Sequence, residues 1–260
     1  MKKIAIVFTL LTLFACSSKD DTTQIQPSQI FYTTTDGKII QPVPLAFECS
    51  ITSNVYKYEE KGIITFDGKI TKIGYGAFER CKPLSSIKIP ESVITIEHGA
   101  FSECHKLESF DIPNGITSIE GYTFNECHSL KSVNIPESVT KIGGFAFKGC
   151  TSLESINIPI NTTLIYGGSF WECKSLKSIK IPKNVTRIGD MAFVGCSSLI
   201  SVYCEPTTPP ILENFSESGV FIGNRAMKIY VPENYVDAYK SADGWKDYAD
   251  KIVGYDFSNE

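Results

Sequence analysis

The sequence has little of what nucleic-acid-binding proteins and enzymes usually need. It carries 25 Lys and Arg against 29 Asp and Glu, a net charge of -4, so no basic excess indicates a nucleic-acid footprint. It contains only three histidines, no glycine-rich phosphate loop beside a strand-helix unit and no isolated acidic pair in a loop. Because no nucleophile–base–acid set is visible either, we expect no catalytic site, no metal and no cofactor.

Long hydrophobic runs are also lacking, except at the start of the chain. Lys2 and Lys3 precede an uncharged apolar stretch at residues 4–15. This arrangement is typical of a signal-peptide core, and the stretch is too short to span a bilayer stably. We therefore expect residues 1–15 to be a signal peptide that is not part of the fold.

The residues that follow indicate a lipid anchor. Leu-Phe-Ala-Cys at residues 13–16 resembles a bacterial lipobox, in which the cysteine, here Cys16, becomes the lipid-modified first residue. An ordinary secretory signal with an incidental cysteine is the alternative. Residues 16–29 are polar and predict a flexible tether. The acidic run at 17–21 resembles a tag of some Gram-negative lipoproteins, so we expect an outer-membrane lipoprotein on the cell surface, anchored by lipid alone.

What the sequence has in abundance is self-similarity at a period of 23 residues. The cysteines at this step are Cys81, Cys104, Cys127, Cys150, Cys173 and Cys196, and the phenylalanines are Phe78, Phe101, Phe124, Phe147, Phe170 and Phe193. Strict repetition indicates a solenoid, in which each repeat is one coil stacked on its neighbours. In each coil, Leu-x-x-Ile-x-Ile predicts a strand with alternating inward and outward residues, and Ala-Phe-x-x-Cys predicts a short helical turn. The predicted fold is an α/β repeat solenoid of 23-residue coils, with short strands on one face and short helical turns.

Six copies of the repeat span residues 70–205, and different sequence flanks them. Residues 30–69 predict an N-terminal β cap, in which the turn dipeptide Asp36-Gly37 separates two strand-like runs at 30–35 and 38–40. A solenoid end exposes an unpaired sheet edge that must be covered. We therefore expect a cap at each end of the solenoid.

Residues 206–260 predict a degenerate last coil and a helical C-terminal cap. Residues 227–232 indicate one more strand, and residues 233–241 and 245–252 indicate two short helices. Four aromatic residues of this segment are expected to pack over the last coil: Tyr235, Tyr239, Trp245 and Tyr248.

The cysteine ladder allows a disulfide, a metal site or a buried row of small side chains. Adjacent coils bring equivalent Cα atoms to about 4.8 Å, inside the disulfide range. Stacked equivalents have parallel Cβ directions, however, and a linear row does not supply tetrahedral zinc ligands. We therefore expect buried, unpaired thiols. His105 and His128 recur beside Glu103 and Glu126, an arrangement that would also allow a metal site. Lysine and serine at the equivalent position of other repeats indicate instead that this position faces solvent.

The motif Ile-Gly-x-x-Ala-Phe-x-x-Cys-x-x-Leu-x-x-Ile-x-Ile-Pro at residues 142–159 resembles the BspA-like leucine-rich repeat family. Residues 32–39 and 230–249 are similar to the segments that flank the repeats in that family. The resemblance covers about residues 30–255. It implies a leucine-rich-repeat solenoid and a surface or secreted protein that binds host or microbial proteins, adhesion being the usual proposal.

The outward columns of the strands are the predicted binding face. Their residues are Ser86, Lys88, Ser109, Asp111, Ser132, Asn134, Ser155, Asn157, Ser178, Lys180 and Tyr203. A neighbouring column alternates in sign through Glu108, Lys131, Glu154 and Lys177, so cross-strand neighbours can pair. Two alternatives stay open: these residues only solubilise the sheet, or binding uses the turn corner with Tyr122, Phe145 and Trp171. The expected partner is a protein on a host or microbial surface, or a glycan captured by an accessory protein, which would need an aromatic platform.

Overall fold

The computed structural model describes residues 26–57, 61–213, 219–224 and 226–259. Over these residues the chain forms short strands, one short α-helix and four 3-10 helices. The strands are β1 (Gln29–Thr34), β2 (Ile51–Lys57), β3 (Lys61–Phe66), β4 (Lys72–Ile73), β5 (Leu84–Lys88), β6 (Thr95–Ile96), β7 (Ser109–Asp111), β8 (Ser118–Ile119), β9 (Ser132–Asn134), β10 (Lys141–Ile142), β11 (Leu164–Ile165), β12 (Ser178–Ile181), β13 (Arg187–Ile188), β14 (Ser201–Cys204), β15 (Ile211–Leu212), β16 (Lys228–Pro232) and β17 (Ile252–Tyr255). The helix is α1 (Val236–Ser241), and the 3-10 helices are Pro44–Ala46, Glu233–Tyr235, Lys246–Tyr248 and Phe257–Asn259.

Two sets of parallel strands run along the solenoid, whereas the sequence predicts strands on one face only, because the second-face strands are only two residues long. The first face consists of β5, β7, β9, β12, β14, β16 and β17, and the second face consists of β4, β6, β8, β10, β11, β13 and β15. Equivalent residues of adjacent coils pair, such as Ser109 with Ser132 on the first face and Lys141 with Leu164 on the second. With residues 153–158, which continue the first face between β9 and β12, these strands define about eight coils. The predicted repeat solenoid is confirmed.

The segment after each second-face strand is a series of tight turns, and the predicted helical turn is wrong. The amide of Ala77 donates to the carbonyl of Gly74 in its own coil at 3.2 Å, whereas the next amide, of Phe78, donates to Ala100 of the following coil at 2.7 Å. A helix cannot direct alternate amides to a neighbouring coil. Gly76 has a left-handed φ of 58°, which interrupts any right-handed helical course.

Phenylalanine rings form a continuous stack through the core. Neighbouring rings lie 5.3 to 5.7 Å apart between centroids, with interplanar angles of 4 to 12°. The stacked rings are Phe78, Phe101, Phe124, Phe147, Phe170, Phe193 and Phe221. All are buried, so each coil contributes one ring to an offset stack. Stacked rings stabilise the fold by more than the burial of their apolar area alone.

The cysteine ladder lies beside this stack, and its thiols are hydrogen-bond donors. The eight described cysteines are unpaired, and all except Cys49 are buried, as the sequence predicts. The thiol of Cys150 donates to the carbonyl of Phe124 in the preceding coil at 3.2 Å. That carbonyl also accepts the amide of Cys127 at 3.2 Å, so both of its lone pairs are used. The same thiol contact recurs from Cys104 to Cys196 at 3.1 to 3.2 Å.

At the N-terminal end, β1 lies antiparallel to β3 on one side and to β5 on the other. The predicted strand at residues 38–40 does not form, because β1 takes its partners from later in the chain. Tyr32 pairs with Gly62 and Ile87, and a Cβ at Gly62 would lie 2.0 Å from the Tyr32 ring. The Asp36-Gly37 turn is present, and Gly37 has a φ of 64°. It turns the chain without starting a hairpin strand.

The C-terminal segment adds a strand that the sequence pattern does not reveal. The predicted strand at 227–232 is present as β16, and the helix predicted at 233–241 is a 3-10 turn followed by α1. The helix predicted at 245–252 is wrong: it is a single 3-10 turn, and β17 begins at its end. Ile252 pairs with Ile229 of β16, so it extends the apolar column of the first face by one coil.

Three of the four aromatic residues predicted to pack over the last coil do so. Tyr239, Trp245 and Tyr248 are buried, and the indole of Trp245 donates to the carbonyl of Pro210 at 2.7 Å. Tyr235 is exposed, contrary to the prediction. It precedes α1 with a φ of -118° and a ψ of 8°, so it does not share the buried face of the helix.

Candidate functional site

Alternation along the first-face strands turns one set of side chains outward. In β7, Phe110 is buried between Ser109 and Asp111, which are both exposed, and β9 repeats this pattern. Of the eleven predicted binding residues, eight are exposed: Lys88, Ser109, Asp111, Ser132, Asn134, Ser155, Asn157 and Ser178. The other three, Ser86, Lys180 and Tyr203, are half-buried. The structure thus brings these columns together on one polar surface.

The N-terminal end of this surface is partly covered. The Ser86 and Thr33 hydroxyl oxygens lie 2.7 Å apart, because β1 pairs alongside β5. Ser86 therefore has a partner within the fold and offers less to a ligand than the other serines.

The charged column forms the ion pairs that its alternating signs predict. Lys131 Nζ lies 2.9 Å from Glu108 Oε2, and Lys177 Nζ lies 2.6 Å from Glu154 Oε2. The hydrogen bond from Lys177 lowers the pKa of the Glu154 carboxyl. Exposed pairs of this kind contribute little to stability, so their main effect is on the charge pattern of the surface.

An aromatic cluster occupies the C-terminal end of the first face. Tyr203 and Tyr230 stack with ring centroids 4.9 Å apart, and Tyr255 meets both edge-on at 5.4 and 5.7 Å. Phe257 extends the cluster, 4.8 Å from Tyr255. All four rings are half-buried. Sequence reasoning found only Tyr203, because Tyr230 and the two later residues lie beyond the part of the chain with a regular period.

Rings also line the turn corner. Tyr122 and Phe145 stack at 5.1 Å, and Phe145 lies 6.1 Å from Trp171, over which Lys148 Nζ sits at 5.1 Å. Tyr122 and Phe145 both have a φ of 58°, a left-handed conformation that disfavours side chains with a Cβ. A Cβ at Gly168 would lie 2.4 Å from the Phe145 ring, so this glycine makes room for it.

The histidine pair that the sequence singles out does not resemble a metal centre. The rings of His105 and His128 lie 4.8 Å apart, and His128 Nδ1 lies 3.0 Å from the carbonyl oxygen of Gly149. Burial, followed by the nearby His128, lowers the pKa of His105. Within the described ranges, no group of three or more His, Cys, Asp or Glu side chains is arranged to hold a metal.

The predicted lipid-attachment residue, Cys16, lies outside the described residues. In the described part of the chain, no helix has the length and apolar character needed to cross a bilayer.

Comparison with protein families identifies the repeat. The family model described as "BspA type Leucine rich repeat region" matches six copies, over residues 49–174 and 117–241. Together these matches cover well over half of the chain. The chain belongs to the BspA-type leucine-rich repeat family. Proteins of this family are generally surface and protein-interaction proteins, and leucine-rich repeats are typically non-enzymatic scaffolds.

Two solved structures are similar to this chain. A leucine-rich repeat protein from T. pallidum is 25% identical over 64% of this chain and 80% of its own, with a TM-score of 0.50. A leucine-rich cell surface protein from Faecalibacterium prausnitzii is 27% identical over 63% of this chain and 53% of its own, with a TM-score of 0.49. None of the curated proteins matches the chain.

Proposed function

We propose that this BspA-type leucine-rich repeat protein is a cell-surface lipoprotein whose first face binds another protein, as an adhesin does. The observation that carries the proposal is the aromatic cluster of Tyr203, Tyr230, Tyr255 and Phe257 at one end of an otherwise polar face. Binding hot spots are enriched in tryptophan, tyrosine and arginine, in well-packed pockets that the partner desolvates fully. Three of the four rings are tyrosines, and their exposed parts are left for a partner to cover.

The rings of the cluster are held in place before a partner arrives. Tyr255 contacts both Tyr203 and Tyr230, so no ring is free to rotate without losing a neighbour. Binding therefore requires little further ordering of these side chains, which lowers the entropic cost of association. A protein partner that covers the cluster would gain apolar contact without this loss.

The polar columns next to the cluster suit the rim of such an interface. Ser109, Ser132 and Ser155 are short, and the outward residues beside them are Asp111, Asn134 and Asn157. A flat row of small hydroxyls and amides offers donors and acceptors to a partner backbone. Interfaces commonly combine an aromatic core with a polar rim of this type.

In this proposal, the remaining parts of the chain anchor the solenoid and hold its first face where a partner can reach it. A lipid on Cys16 after removal of residues 1–15 would hold the protein at the outer membrane, and residues 16–29 would act as the tether. Residues 30–69 and 206–260 would cap the solenoid at its two ends, and the C-terminal segment would also carry three rings of the aromatic cluster. The lipid and the tether would present the whole first face, the cluster included, to partners outside the cell.

Immobilised host-matrix and bacterial surface proteins, with purified full-length protein as analyte, provide the test. We expect saturable binding, and we expect Tyr203→Ala combined with Tyr230→Ala to weaken it by about thirtyfold or more, the effect of losing a hot spot worth 2 kcal/mol. Tyr75→Ala, which removes an exposed tyrosine from the turn corner, is the matched control and should leave the affinity unchanged.

A second variant, the triple change Lys88→Ala with Asp111→Ala and Lys180→Ala, tests the polar columns separately. Binding that survives both sets of changes would place the interface elsewhere. Binding to arrayed glycans alone, with no protein bound, would contradict the proposal and favour a glycan-capture role.

A further inference from the structure

A cleft opens on the second face, away from the proposed protein-binding face. Its volume is about 360 Å³, within the range of small-ligand sites. Glu120 and Tyr166 occupy the same position in coils that are two repeats apart, and Gly143 occupies this position in the coil between them. Because strands are spaced about 4.8 Å apart, the two walls are separated by roughly 10 Å.

The glycine that leaves the cleft open cannot be replaced without moving the backbone. A Cβ at Gly143 would lie 2.6 Å from the Glu120 carbonyl carbon and 2.6 Å from the Gly121 amide nitrogen. Gly144, the next residue, also lines the cleft. The gap between the walls is therefore a fixed feature of how these coils stack, and its floor is backbone.

Polar groups without partners line the same cleft. Within the described ranges, the hydroxyls of Thr117 and Ser118 and the ammonium of Lys141 have no hydrogen-bond or ion-pair partner. At one end, Glu120 Oε2 lies 3.5 Å from His98 Nε2. Hydroxyl, ammonium, carboxylate and imidazole groups therefore line a space that one aromatic side chain also borders.

That aromatic side chain is Tyr166, which is 45% exposed at the edge of the cleft. An exposed ring beside hydroxyl, carboxylate and ammonium groups suits a ligand that has an apolar face and a polar rim. A pyranose sugar has this character, because its ring C–H groups lie on one face and its hydroxyls project around the edge.

We propose that this cleft binds a single pyranose unit, terminal on a surface glycan, with the sugar placed against Tyr166 and its hydroxyls bonded to Ser118, Glu120 and Lys141. The gap of roughly 10 Å between the walls formed by Glu120 and Tyr166 favours a compact ligand. A compact ring fits between them. This site is separate from the first-face proposal and stands if that proposal fails.

The test uses purified full-length protein and arrayed oligosaccharides that end in a neutral hexose, an N-acetylhexosamine or a hexuronic acid, followed by calorimetry with the best probe. We expect saturable binding that Tyr166→Ala weakens by about tenfold or more. Ser118→Trp, which places an indole into the cleft from β8, should abolish it. Tyr75→Ala is the control and should bind as the wild type does.

Thermal unfolding of each variant shows that a loss of binding is not a loss of fold. If hexuronic probes bind best, Lys141→Ala should weaken them more than neutral probes, since the ammonium would pair with the carboxylate. The proposal is overturned if no probe binds up to roughly millimolar concentration. It is equally overturned if sugar binding survives both Tyr166→Ala and Ser118→Trp.

Discussion

Replacing Phe147 by alanine removes the central ring of the phenylalanine stack. The ring is fully buried and lies 5.4 Å from Phe124 on one side and 5.4 Å from Phe170 on the other. Buried Phe→Ala changes lower the free energy of unfolding by about 3–5 kcal/mol. Each stacked pair contributes about 0.5–1.5 kcal/mol beyond area burial, and both pairs are lost, so we expect the upper half of that range.

The assay is urea unfolding followed by far-UV circular dichroism and by tryptophan fluorescence. Trp171 and Trp245 lie in the fifth coil and near the C-terminal end, so coincident transitions would show that the array unfolds as one unit. Tyr75→Ala, at an exposed position, should change the free energy by less than about 0.5 kcal/mol. A Phe147→Ala loss of below about 1 kcal/mol would refute the argument that the stack is a closely packed interior.

Three further predictions concern the thiols and one glycine. Iodoacetamide should label Cys49 in the native protein before any buried thiol, because Cys49 is only half-buried, and peptide mass spectrometry would show the order. Burial raises the pKa of Cys196 from 9.0 to about 12, so the unfolded chain loses this proton first. Its stabilising contribution is complete below about pH 9 and is lost as the pH rises toward 12, so the urea midpoint should fall between about pH 9 and pH 12, less steeply in Cys196→Ala. Gly99→Ala should lower the free energy of unfolding by about 1–2 kcal/mol, because φ is 64° there while the nearest atom to the new Cβ is 3.9 Å away; a thermal scan that matches the wild type would contradict this.

The repeating part of the fold could be predicted from the sequence because equivalent positions of the repeats lie in the same environment and therefore hold the same type of residue. Phe147 and Cys150 recur at one step and prove to be buried, and Glu108 pairs with Lys131 as the column pattern predicts. The helical turns could not be predicted correctly, because the apolar spacing of Ala146 and Phe147 also fits consecutive tight turns. The glycines at equivalent positions, such as Gly99, were the available sign of a left-handed backbone.

The candidate sites could not be predicted from the sequence, because both depend on residues that lie in different coils or outside the regular repeats. Tyr255 joins Tyr203 only because β17 adds a coil after a non-repeating segment. The second-face cleft results from a missing side chain at Gly143 between two large ones, Glu120 and Tyr166. Comparing equivalent positions of the repeats shows which residue type each coil has there. It does not predict the cavity that forms where one coil has no side chain.

The thiol ladder sets a condition on how this chain matures. Each cysteine from Cys104 to Cys196 must reach its carbonyl partner as a thiol, because a sulfur in a disulfide has no proton to donate. In an oxidising compartment, the unfolded chain would bring reactive sulfurs at a regular spacing past disulfide-forming catalysts. There, stacking would compete with oxidation, and a coil that closes quickly would shield its sulfur from that chemistry. Rapid stacking of neighbouring coils during folding would then protect the cysteine thiols from oxidation.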